Sequence, residues 1–123
     1  MLVPLILGSD KTMLSTLSGE KSAWPVYLSV GNLGKVKRLS TTSNGLILIG
    51  LLQKVPRKPR EHTTKRALHT ALREILWPLE APPLDGIVMR CADDHTGIVF
   101  PRISSFLANY PVQCLITLIR QVW

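Results

Sequence analysis

A carboxylate placed just past a buried strand is the residue of this chain with the most chemistry to offer, and Asp10 is the first candidate. It follows the apolar run Val3 to Gly8, so a fold can hold it rigidly at a sheet edge while leaving it open to solvent and metal. Two-metal phosphoryl transfer needs such a group, joined by one or two further acids that converge on ions about 4 Å apart. The competing reading makes Ser9-Asp10-Lys11-Thr12 a turn or a helix cap. Asp93, Asp94 and His95 form the densest acidic cluster, yet adjacent residues on a hairpin tip diverge, so their spacing predicts a solvated turn and no metal site. His62 and His69 lie seven residues apart, two helical turns and too far to share an ion without a third ligand. Cys91 and Cys114 are 23 positions apart with no second Cys or His at ligand spacing. That argues against a zinc knuckle and predicts two buried thiols in a reducing compartment. No Gly-rich phosphate loop or nucleophile elbow is present.

The second candidate is a charge run. Lys54, Arg57, Lys58, Arg60, Lys65 and Arg66 face only Glu61, so positions 54–66 carry five of the chain's seven net positive charges. The segment Val55-Pro56-Arg57-Lys58-Pro59-Arg60 is extended by its prolines and can lie along a phosphate backbone, with affinity drawn from counterion release. The alternative is a solubilising loop, because no aromatic residue interleaves with the cations to stack on bases.

The elements that would position these groups follow from periodicity. The 123 residues are 46% hydrophobic and 19% charged, which excludes a disordered tail and a coiled coil. One domain of this length buries roughly two thirds of its surface without a staple. The longest apolar runs, Leu2 to Leu7 and Leu46 to Leu52, fall far short of the roughly 20 residues of a membrane span. Val3 to Gly8, Trp24 to Val30 and Leu46 to Leu52 read as three strands in series, with Asn32-Leu33-Gly34 and Asn44-Gly45 as turns. Between the first two, Asp10 to Ser22 is polar with one weak apolar face from Met13, Leu14 and Leu17. Leu68, Leu72, Ile75, Leu76 and Leu79 then line one face of a helix from Glu61 to Trp77, with Thr63 or Thr64 as cap and Pro78 as stop. Ile87 to Cys91 and Ile98 to Phe100 predict a hairpin. Pro101 is expected to start a short helix through Ile103, Phe106, Leu107 and Tyr110 that Pro111 ends, and Val112 to Ile119 reads as a last strand. The order is β-β-β-α-ββ-α-β, an α+β or α/β plan around a mixed sheet. A chain that starts in an apolar strand and ends just after another is expected to be a segment of something longer.

Several ordered segments carry a family likeness. Ile6-Leu7-Gly8-Ser9-Asp10-Lys11-Thr12, Lys21 to Leu33 with its Trp24-Pro25-Val26-Tyr27 centre, and Leu48-Ile49-Gly50-Leu51-Leu52 before the basic linker resemble the Plavaka transposases of fungi, relatives of the CACTA cut-and-paste transposons. Asp85-Gly86, Arg90-Cys91-Ala92-Asp93, Val99-Phe100-Pro101 and Ala108-Asn109-Tyr110-Pro111-Val112-Gln113 continue it in order, so the likeness covers the whole chain.

The resemblance implies a partial RNase H-like sheet in which three carboxylates hold two Mg²⁺ ions, with DNA as partner and the nucleus as location. It maps the family's first acid onto Asp10, and its second, in an Asp-Tyr-Pro motif, onto Asn109. An amide there brings no negative charge to offset two divalent ions. The third acid and the family's zinc-binding cysteines fall beyond Trp123. The expectation is a truncated, inactive transposase fragment with Asp10 as a vestigial, weak metal ligand. The alternatives are a non-catalytic nucleic-acid-binding module that keeps the basic linker, and a remnant too short of strand partners to fold.

Overall fold

The computed structural model describes residues 1–15, 21–40, 42–53, 61–80, 85–91 and 93–117. Strands β1 (Leu2–Ser9), β2 (Thr12–Ser15) and β3 (Lys21–Val30) come first, then the short helix α1 (Lys35–Leu39) and strand β4 (Ile47–Gln53). Helix α2 (Glu61–Glu80) leads to β5 (Ile87–Arg90), β6 (Thr96–Ala108) and helix α3 (Tyr110–Thr117). One mixed sheet results. β3 pairs antiparallel with β1 and β2 along one edge and with β4 along the other, β6 lies parallel to β1, and β5 closes the far side antiparallel to β6.

Alternation along the strands decides which face is covered. Leu5, Leu7 and Ser9 of β1, Val26 of β3 and Leu52 of β4 are buried, and α2 lays Leu68 and Leu72 on Val26 and Leu52. Trp24, Ile49, Ala71, Ile75 and Ile116 complete this cluster. Gly50 permits the close approach, since a Cβ there would lie 2.5 Å from Cδ1 of Ile75. The intervening residues Gly8, Tyr27, Leu48, Leu51 and Leu107 point to the other face. Leu48, Leu51 and Leu107 are exposed there.

Three prolines, Pro4, Pro25 and Pro101, sit inside strands, and the last of them costs no ladder bond. In β6, Phe100 N–H donates to Met1 O at 2.8 Å, so Pro101 directs its nitrogen to the opposite side, where β5 has already ended. In β3, Gly31 N–H donates to Pro4 O at 2.7 Å; continuing that alternation puts Pro25 nitrogen opposite the carbonyl of Asp10. Pro25 has no proton to give. The ladder stops after Ser9–Val26 and resumes in the same register at Thr12–Ala23.

The three predicted strands, the hairpin and the long helix are present. The segment after Asp10, to which the sequence assigned no element, contains strand β2 at Thr12–Ser15. Helix α1, tied back by Arg38 Nη2 to the carbonyls of Gly31 and Leu33 at 3.0 and 2.8 Å, was not expected. Helix α2 starts at Glu61, so neither Thr63 nor Thr64 caps it, and it runs through Pro78 to Glu80. Pro78 is exposed in the last turn, while Leu79 stays half-buried on the packed face.

The larger correction lies between residues 101 and 117, with Leu118 and Ile119 of the predicted last strand outside the described residues. Ile103 to Ala108 is strand, not helix, and Val112 to Thr117 is helix, not strand. Pairing with β1 over eight positions overrides the helical spacing of a short segment. Pro111 does not end a helix but occupies the first turn of one, where its lost donor has no intrahelical partner anyway. Cys114 is buried as expected, whereas Cys91 is half-buried.

Candidate functional site

β1 and β6 are adjacent and parallel, so both end on the same edge of the sheet, with Ser9 opposite Ala108. The next residue of each is Asp10 and Asn109. Their side chains meet: Asn109 Nδ2 donates to Asp10 Oδ1 at 2.9 Å across 99 positions of sequence. The same Oδ1 accepts the Lys11 N–H at 2.8 Å. Oδ2 has no partner among the described residues.

The amide of Asn109 is held at both ends. Its Oδ1 accepts the Val112 N–H at 3.3 Å, and its carbonyl takes the Gln113 N–H at 3.0 Å, which makes Asn109 the N-cap of α3. Gln113 Nε2 donates to Ala108 O at 2.6 Å and fixes the same corner. The nitrogen of the amide therefore faces the carboxylate while its oxygen is engaged by the helix.

Around this pair is an open cleft of about 430 Å³ lined by Gly8, Asp10, Tyr27, Leu46, Leu107 and Asn109, with Ser9 and Ala108 at its base. Gly8 keeps the floor low, and Pro25 leaves the Asp10–Lys11 step unpaired so that Asp10 stands clear of the ladder. Ser9 Oγ is buried without a partner among the described residues, but its strand position directs it to the helix-covered face and away from the cleft. A second cleft of about 460 Å³ lies between α2 and β6, lined by His69, Leu72, Arg73, Leu76, Leu79 and Ile103. No carboxylate lines it among the described residues, so the chemistry favours the Asp10 corner.

The structure thus joins the two residues that the sequence singled out at the two ends of the chain. It does not join them to the acidic cluster, which is a turn: Asp93 Oδ1 accepts the His95 N–H at 3.2 Å and Asp94 adopts φ 69°. Among the described residues no three His, Cys, Asp or Glu side chains gather. Of the cationic run, Lys65 is half-buried and Arg66 exposed in the second turn of α2; Lys54, Arg57, Lys58 and Arg60 lie outside the described residues. Pro25 is the position sequence reasoning missed. A proline inside an alternating strand was the signal for a break in pairing opposite it.

The family model of the Plavaka transposases matches residues 1–123, the whole chain. This protein belongs to the Plavaka transposase family. No curated protein and no solved structure matches it. As a transposase-family chain it is related to proteins that handle DNA, and no helix among its described residues is long and apolar enough to cross a membrane.

Proposed function

We propose that this chain is an RNase H-like part of a cut-and-paste transposase core that engages DNA through its basic segment and lacks the paired anions needed to cut it. The antiparallel β1–β3–β4 meander, joined along β1 by the parallel strand β6, suits such a core. The observation that carries the reading is the hydrogen bond from Asn109 Nδ2 to Asp10 Oδ1. A corner built for two divalent ions needs several converging carboxylates. Here one carboxylate is met by the donor end of an amide, and the acceptor end is taken by the cap of α3. This donor set does not fit a pair of Mg²⁺ ions.

DNA binding rests on the family and on the cations of positions 54–66. Fluorescence anisotropy on a duplex across a salt series tests it. Binding is expected to weaken steeply with salt, and neutralising Arg57, Lys58 and Arg60 together is expected to lower the log–log salt slope by roughly three, about 0.9 for each phosphate that no longer meets a cation. A slope indifferent to those changes removes the basic segment from the account. Strand cleavage that needs Mg²⁺ and disappears in Asp10→Ala refutes the non-cutting part.

A further inference from the structure

Among the described residues, the edge of the outer strand β5 is both unpaired and unprotected. All four of its residues are exposed, Val88 at 69% and Met89 at 48%, and Ile98, across from Val88 on β6, is exposed at 50%. The hairpin closes with the Cys91 N–H donating to His95 O at 2.8 Å. Bonded pairs alternate along an antiparallel ladder, so Ile87, Met89 and Cys91 direct their backbone groups to β6. The N–H and C=O of Val88 and Arg90 point outward, and no described residue pairs with them. Edges are commonly blunted by a proline, a bulge or an inward charge. β5 has none of these: its register with β6 runs without a shift, and its one charge, Arg90, stands at its end.

We propose that β5 pairs antiparallel with β5 of a second copy of this chain, about a two-fold axis at Val88. Unpaired backbone donors and acceptors in strand geometry call for another strand. A second copy is the occupant because the sequence is complementary to itself in the register the outward groups allow. With Val88 opposite Val88, Ile87 faces Met89 and Arg90 faces Gly86. Apolar side chains meet, and neither arginine opposes the other. Arg90 also pairs with Asp94 at 2.7 Å, but both side chains are largely exposed, and such a pair contributes little that would oppose docking. The two sheets continue as one, and the Val88 and Ile98 side chains of both copies merge into one apolar patch. The contact is small, so the dimer is weak and concentration-dependent.

Sedimentation velocity over a concentration series on the full chain tests this, with amide exchange on the same samples. The mass is expected to move from one copy toward two as concentration rises, and exchange at Val88 and Arg90 is expected to slow in step. Val88→Pro removes only an outward N–H, so the melting temperature should hold while the dimer is lost. If that variant does not fold, Val88→Lys, which sets two cations face to face at the axis, gives the same reading. A wild-type chain that stays monomeric at every concentration overturns the proposal, as does a dimer that persists in a folded variant or forms without slowing exchange at Val88 and Arg90.

Discussion

Asn109→Asp lowers the melting temperature in metal-free buffer and makes it rise again when Mn²⁺ or Mg²⁺ is added. Aspartate caps a helix as well as asparagine does and suits the positive end of α3, so the bond to the Val112 N–H survives. The change falls on the other end of the side chain. A donor 2.9 Å from Asp10 Oδ1 becomes a second carboxylate, which removes a charge-assisted hydrogen bond and adds like-charge repulsion. Both residues are exposed, so solvent and salt screen the repulsion and the loss is about 1–2 kcal/mol. Added salt screens the repulsion and restores part of the loss. A divalent cation relieves it too. Thermal melts of both proteins with and without Mn²⁺ check this; a variant as stable as wild type in chelator, or unmoved by the ion, removes the Asp10–Asn109 pair from the account.

Leu72→Ala is expected to cost about 2–5 kcal/mol, the range for a buried leucine whose neighbours cannot close the gap. Leu72 is 7% exposed and packs with Val26, Leu52 and Leu68 where α2 crosses the sheet. Against the roughly 5–15 kcal/mol that holds a domain together, the melting temperature falls on the order of 10 °C or more. Leu48→Ser is the control. Leu48 is half exposed on the uncovered face, and replacement at such a surface position changes stability by about 0.5 kcal/mol or less. Chemical denaturation of both variants separates the faces; equal losses would mean that α2 does not cover the side on which Leu72 and Val26 meet.

How much of this was legible depended on whether a signal was local. Val3 to Gly8, Trp24 to Val30 and Leu46 to Leu52 carry their own strand signature, and Leu68 to Leu79 mark a helix face, so these elements and the 87–100 hairpin were readable. From Pro101 onward the local signal pointed the wrong way. Ile103, Phe106 and Leu107 have helical spacing, yet the parallel partner β1, about a hundred positions earlier, holds them extended. Once β6 runs to Ala108, Asn109 and Pro111 become an N-terminal cap and first turn, and the apolar run after them winds into α3. Asp10 was readable from its place at a strand end. Asn109 drew notice only through the family likeness, because its nearness to Asp10 comes from a pairing that no local pattern encodes.

The most direct test of the central claim is a Mn²⁺ titration of the wild-type chain followed by amide resonances around Asp10 and Asn109. Broadening there is expected to be weak and non-saturating, while Asn109→Asp shows selective, saturable broadening at the same amides. Saturable binding of two ions by the wild-type chain at this corner would contradict the claim that its single carboxylate, met by an amide donor, cannot assemble a metal pair.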